Sequence, residues 1–363
     1  MRILFMADVE KDPHAGAAGT EIRTIDHLRR LGHEVTEIWA NDLGRRIGHG
    51  NLHYLLELPF AYRRALRRAW SRGPYDVVHV NQPHGWRAAK WLRGRAPFVH
   101  RSHGFEPYAE EVLARWRASD ERSMPRRTFS AAIARLLARH GRLIAKYADG
   151  HIVSSSLDAN VLIERFHVPP ERVAVIPQAA PDAFLETPAP PMTSERLRRV
   201  LYVGQFAFFK APTIVAEAMR KLAGESELTW VCAPQHHEQV RALVPNVRVQ
   251  SWMPEDALRQ VYDTHGIFLF PSYYEGFGKV FLEAMSRGMC VVASDVGGAH
   301  DVIAHGRDGM LVPPGDSDAI ASAVRSLDLE RASAMSDAAA QTARAYSWAR
   351  VANETAAFYE RLR

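Results

Sequence analysis

Two carboxylates, Glu275 and Glu283, stand eight residues apart within PSYYEGFGKVFLEAMSRGMCVVASDVGGAHDVIAHGRDGMLVPP at 271–314. Between them runs Gly276-Phe277-Gly278, a turn whose glycines relieve the steric limits on the backbone. The spacing predicts a loop that becomes a helix near Gly278. A helix start presents unpaired N–H groups and the positive end of the dipole, which suits an anion. Glu275 precedes that helix and Glu283 lies inside it, so both reach one ligand from different sides. Two carboxylates beside an anion site suit a polyhydroxylated, phosphate-bearing ligand, a nucleotide sugar.

Alternating elements must position these groups. Apolar runs read as strands at Arg2–Ala7, Glu34–Trp39, Val77–Asn81, Phe98–Ser102 and His151–Ser154. A second series reads at Arg199–Val203, Thr229–Ala233, Arg248–Ser251, Gly266–Phe270, Cys290–Ala293 and Gly309–Val312. Helical periods lie between them, among them Gly19–Leu31, Pro212–Leu222 and Gly278–Arg287. Buried strands alternating with helices mean parallel, doubly wound sheets, and here the pattern occurs twice. The break falls at the Pro-rich Thr187–Thr193. The expected organisation is therefore two Rossmann-like domains, 1–187 and 188–346, facing across a cleft. The terminal helical stretch, 347–363, is expected to pack back on the first. Ligands of such sheets bind beyond the carboxyl ends of strands.

The composition, 47% hydrophobic and 24% charged, is that of a globular protein. No stretch approaches the roughly 20 apolar residues of a membrane span. The apolar start, Met1–Val9, reads as a first strand rather than a secretion signal. Cys232 and Cys290 sit in strand-like runs, so reduced thiols and a cytoplasmic setting are expected. Nothing supplies zinc-ligand spacing, and no metal is expected. Residues 1–190 hold 28 Lys and Arg against 21 Asp and Glu, while 191–363 hold 18 against 20. A basic first half suits an anionic partner, whether a membrane surface, a phosphorylated acceptor or nucleic acid. Arginines 63, 64, 67 and 68 share a face in Phe60–Trp70, and others recur in Trp116–Lys146. Such faces can dock on anionic lipid, placing the chain peripherally at the inner membrane face.

The 271–314 stretch resembles the signature of the retaining glycosyltransferases of family 4, the group 1 family, which have the GT-B fold. The shared elements are Pro271-Ser272, Glu275-Gly276-Phe277-Gly278, Leu282-Glu283-Ala284-Met285, Gly288, Val291-Val292-Ala293-Ser294, Gly297-Gly298, Gly309 and Val312-Pro313-Pro314-Gly315. Weaker echoes include Gly32-His33-Glu34-Val35, Asp76-Val77-Val78-His79, His103-Gly104, Val175-Ile176-Pro177, Gly204 with Lys210, and Ser347-Trp348. The resemblance implies that Glu283 accepts hydrogen bonds from the nucleotide ribose and that Glu275 lies by the sugar hydroxyls. Backbone amides at Lys279, Val280 and Phe281 would face the diphosphate, with Lys210 as its cation. Gln205 stands where the family usually has arginine, removing one charge-assisted contact worth about 1.5–3 kcal/mol. Gly16 and Gly19 are what remains of the glycine-rich loop, Gln178-Ala179 replaces the common Asn-Gly after Pro177, and Asp301 replaces glutamate.

By the same resemblance His103 stands near the reacting carbon, where a neutral imidazole can donate a hydrogen bond. Trp252 and Met253 would meet the nucleobase, and Glu106 and Tyr108 would line the acceptor side. The implied reaction is metal-independent, retaining transfer of a hexose from a UDP- or GDP-type sugar. The acceptor would be a glycan, a lipid-linked molecule or a small molecule; no cofactor and no nucleic acid are expected. Two alternatives stay open: a catalytically weak nucleotide-sugar-binding or scaffolding protein, and a nucleotide-sugar epimerase. A dehydrogenase is disfavoured, because no Gly-x-Gly-x-x-Gly follows the first strand.

Overall fold

The structure, a computed structural model, describes residues 1–13, 16–48, 52–104, 109, 112, 115, 116 and 127–363. They divide into two compact units: one from Met1–Ala114, Arg126–Gln178 and Trp348–Arg363, the other from Arg115–Pro125 and Ala179–Ser347.

The first unit holds a sheet of β1 (Arg2–Met6), β2 (Glu34–Ile38), β3 (Val77–Val80), β4 (Phe98–Arg101), β5 (Gly150–Val153) and β6 (Val173–Val175). Their order is β2-β1-β3-β4-β5-β6, paired in parallel throughout. Strand β6 is absent from the sequence reading: three half-exposed residues at a sheet edge carry too little apolar signal. Helices α1 (Gly16–Arg30), α2 (Leu58–Trp70) and α3 (Arg127–Tyr147) belong to this unit. On one sheet face Leu4, Met6, Val78, Val80 and Phe98 pack with Leu58, Tyr62, Leu66 and Ile144 of α2 and α3. Burying each such side chain contributes about 1.5–3 kcal/mol.

In the second unit β7 (Arg199–Val203), β8 (Glu227–Val231), β9 (Arg248–Gln250), β10 (Ile267–Phe270), β11 (Cys290–Ser294) and β12 (Met310–Val312) run in the order β12-β11-β10-β7-β8-β9. These too pair in parallel. Strand β8 begins two residues before its expected start, because Glu227 pairs in register with Arg199. The relevant helices are α4 (Pro212–Lys221), α5 (Glu255–Asp263), α6 (Lys279–Ser286), α7 (Gly297–Val302) and α8 (Leu329–Arg344). The core joins Leu201, Phe268, Phe270 and Val291 to Phe281, Leu282 and Met285 of α6 and Ala339 of α8.

Helix α9 (Trp348–Leu362) returns to the first unit, where it packs on α1 and covers the other sheet face. Gly150 has room for no side chain there, since a Cβ would stand 2.4 Å from Leu362 Cδ1. The Pro-rich segment at 187–193 lies inside the second unit, and Ala180 and Phe184 upstream of it are already in that unit's core.

Each strand order reverses once, and loops at a reversal diverge to leave a crevice at the strands' carboxyl ends. In the second unit the reversal lies between β7 and β10. Those two strands lead into Gly204–Lys210 and Pro271–Gly278, the segments carrying the predicted donor groups.

Candidate active site

The two loops are tied together by the Tyr273 amide, which donates to the Phe209 carbonyl at 2.8 Å. That tie brings Lys210 to Glu275: the ammonium donates to Glu275 Oε1, which also accepts from Ser272 Oγ at 3.0 Å. Lys210 is held from below, its carbonyl accepting from Tyr202 Oη at 2.9 Å and its Nζ lying 6.0 Å from the Phe270 ring centre. Both partners keep some solvent access, 28% and 13% of their side chains. The pair is therefore open to exchange with an incoming anion.

The Gly-Phe-Gly turn takes its shape from close approach. Gly278 has φ +91° and caps α6 in the left-handed region, and a Cβ there would fall 2.2 Å from the Phe270 ring. A Cβ on Gly298 would meet Phe277 at the same distance, so the start of α7 seats the turn. Of the three expected amides, that of Phe281 bonds to the Gly278 carbonyl at 3.1 Å. Lys279 and Val280 occupy the first turn of α6 beside it.

Glu283 is buried at 8% exposure on α6, and Tyr262 Oη of α5 donates to its Oε2 at 3.0 Å. Burial first, and then the Glu283 carboxylate, push the tyrosine hydroxyl well above its usual pKa, so it stays a donor. Met253 packs against the core, whereas Trp252 is 45% exposed. Gln205 is exposed on the loop after β7.

In the first unit, His103 follows β4, and its Nε2 lies 2.6 Å from Glu21 Oε1. Glu21 projects from α1 and is fully buried, as is Arg101 at the end of β4, whose Nη1 is 3.7 Å from Glu21 Oε2. A Cβ on Gly19 would lie 2.5 Å from the Pro13 carbonyl oxygen, so this glycine is required by space; Gly16 is open. Glu106 and Tyr108 lie outside the described residues.

Glu21 and Tyr262 escaped the sequence reading, and Ser272 entered it as a signature residue without a role. A signal existed for Glu21: it shares the buried face of α1 with Ala18, Ile25 and Leu28, at helical spacing. A carboxylate on an apolar stripe marks an internal partner. Tyr262 had none, since its partner Glu283 lies on another helix. Among the described residues no group of three or more His, Cys, Asp or Glu side chains could hold a metal ion.

Comparisons with known proteins bear on the family and the fold. The profile described as "Glycosyl transferases group 1" matches residues 198–328, and that described as "Glycosyltransferase Family 4" matches 16–182. A D-inositol 3-phosphate glycosyltransferase of Mycolicibacterium paratuberculosis is 30% identical over 318 residues, covering 80% of this chain and 67% of that protein. One of the same description from Geodermatophilus obscurus is 29% identical over 317 residues, covering 79% and 66%. The chain thus spans about two thirds of the length of the curated relatives it matches. Among solved structures, a sucrose-phosphate synthase of Thermosynechococcus elongatus has a TM-score of 0.79 at 21% identity, covering 100% of this chain and 99% of the other. Anabaena HepE with UDP-glucose has a TM-score of 0.69 at 17% identity, covering 98% of each. Two parallel six-stranded sheets with flanking helices and these neighbours make the fold a two-domain α/β GT-B fold. With both units matched, the chain belongs to the group 1 glycosyltransferases of family 4.

Proposed function

We propose that this chain is a metal-independent, retaining glycosyltransferase that moves a hexose from a nucleoside diphosphate sugar to an acceptor held by the first unit. The observation that carries this is the Lys210–Glu275 pair at the β7/β10 reversal, with Glu283 buried on the adjoining helix. A diphosphate arriving at the first turn of α6 competes for Lys210. As the ammonium turns to the phosphates, Glu275 is released to accept from the sugar hydroxyls. Lys210 and the positive end of the α6 dipole then stabilise the charge that develops on the leaving diphosphate, by preorganised electrostatics. Retention follows when the leaving phosphate takes the acceptor's proton on the face it departs from. Glu283, held in orientation by Tyr262, accepts from the ribose.

HepE was solved with UDP-glucose, which supports a UDP-type donor, with GDP as the other base to test. The relatives described as D-inositol 3-phosphate glycosyltransferases support a small polyol, phosphorylated or not, among acceptors. A thermal-shift panel of nucleoside diphosphates and their sugars tests the donor site: one of them is expected to stabilise the protein without added metal. Glu283→Ala is expected to weaken that binding by roughly tenfold to a hundredfold, the loss of a charge-assisted contact. Glu275→Ala should lower kcat on the order of tenfold or more with a smaller change in affinity. Wild-type constants in both variants would sink the site. A panel with no response would instead favour a weak binding or scaffolding protein, the second reading that exposed Gln205 supports.

The basic side of the first unit is proposed to meet an anionic bilayer, with the enzyme peripheral at the cytoplasmic membrane face. Leu52, Leu56 and Phe60 recur every four residues and are each at least 40% exposed. Arg64, Arg67 and Arg68 follow on α2, exposed; α2 and α3 carry no acidic residue, and Glu57 just before α2 accepts from the Arg46 and Ile47 amides. Apolar tips beside arginines suit acyl chains under phosphate headgroups. Flotation with phosphatidylglycerol vesicles should capture the protein at low salt, and Leu56→Ser/Phe60→Ser should release it. Equal capture by phosphatidylcholine vesicles would refute the charge argument.

A further inference from the structure

The sheet face under α1 and α9 concentrates polar atoms that have no hydrogen-bond partner among the described residues. They include Glu21 Oε2, Arg101 Nε and Nη2, His79 Nε2 and His103 Nδ1. Buried polar atoms are paired in the large majority of cases, so a cluster of exceptions calls for a reason. Glu21 stands at its centre. Burial pushes its carboxyl pKa up, but the Arg101 charge, with His103 and its hydrogen bond, outweighs burial and holds it at about 2. It is a carboxylate, which only accepts.

The nitrogen that meets a carboxylate at 2.6 Å must carry the proton, so His103 Nε2 donates. A neutral ring has one N–H. In that neutral form Nδ1 is bare and can only accept, whereas the sequence expectation has His103 donating. Arg101 keeps Glu21 in place: its Nη1 also donates to Thr24 Oγ1 at 3.2 Å, one turn further along α1.

We propose that Glu21 is the positioning residue of His103, fixing the Nε2–H tautomer so that the ring meets a ligand hydroxyl through Nδ1 as an acceptor. This rests on reading His103 as a residue of the transferase site. The ligand there must offer an O–H, and an analogue lacking it leaves Nδ1 unpaired. Sites built to bond a substrate hydroxyl reject such analogues strongly.

The test is a long-range 1H–15N spectrum of protein labelled with 15N-histidine, at pH 8.5, with His103→Gln to assign the ring. The expected signature is a protonated Nε2 and a bare Nδ1. Glu21→Gln should convert it to a tautomer mixture and lower kcat with UDP-glucose about tenfold, with KM changed less than twofold. A protonated Nδ1 in the wild type overturns the proposal, as does an unaltered tautomer in Glu21→Gln. Should Glu21→Gln not fold, the wild-type spectrum still decides. Failure of the transferase reading is separate: it would appear as absent turnover beside the expected tautomer.

Discussion

Lowering the pH from 7 to 5 is expected to unfold the first unit before the second. Burial pushes the pKa of His79, His84 and His151 down to about 3, that of His140 to about 4, and that of His100 well below its usual value. A ring neutral in the folded state but ordinarily protonated below 6.5 makes the unfolded chain bind more protons. Stability is therefore full above pH 6.5 and lost as pH falls from 6.5 toward 3. At pH 5 each fully buried ring costs about 2 kcal/mol, and several together rival the 5–15 kcal/mol that holds a domain. Neighbouring cations oppose protonation further: Arg172 acts on His151, and Arg87 and Arg139 act on His140.

Asp8 works the other way. Burial raises its carboxyl to about 6, so the stability it contributes is present at low pH and lost as pH rises through 6. On acidification to pH 5 it returns about 1 kcal/mol, too little to offset the imidazoles. Glu21, held at about 2, adds its own loss only below the ordinary carboxylate range. In the second unit His265 is the buried ring, lowered by burial to about 4. Calorimetry from pH 8 to 5 should thus show one transition falling steeply while the other moves little. Two transitions falling in parallel would show that the buried rings do not control stability.

The fold was legible in the sequence because the buried parallel strands write continuous apolar runs, as Cys290–Ala293 does. The Gly-Phe-Gly turn and its seat were legible because Gly278, Gly297 and Gly298 are required by space. Pairings between distant residues were not legible. Lys210 and Glu275 were both expected at the site, yet their contact depends on the β7/β10 adjacency and the Tyr273–Phe209 tie. Glu21 and Arg101 are separated by most of a sheet in sequence and meet only once α1 crosses it. The same limit applies to the Pro-rich 187–193, which reads as a linker by composition while its carbonyls are held by Arg287, about a hundred residues on, and by nearby Arg196.

Those arginines set the second large effect: Arg287→Met is expected to destabilise the second unit by about 3–5 kcal/mol, the cost of breaking a buried ion pair from one side. Arg287 is 1% exposed. Its Nε donates to Asp263 Oδ1 at 2.7 Å, its Nη1 to the Phe184 and Thr187 carbonyls at 3.0 and 2.8 Å, and its Nη2 to that of Pro188 at 2.9 Å. Arg196 extends the clamp to Pro190 and Pro191 at 2.6 and 3.0 Å, and to the Arg287 carbonyl at 3.0 Å. Methionine keeps the stem but leaves these carbonyls without donors. Lysine should rescue little, because one ammonium cannot replace a planar fork aimed in several directions. The damage should reach the proposed donor site. Arg287 ends α6 and ties it to Asp263 on α5, one residue from the Tyr262–Glu283 bond that joins the same two helices. Urea melts should therefore show a lower midpoint for Arg287→Met, with less stabilisation by nucleoside diphosphate than in the wild type. Because both arginines hold one segment, Arg196→Met added to Arg287→Met should cost less than the sum of the two. Strict additivity would mean that the segment is held by something other than this clamp.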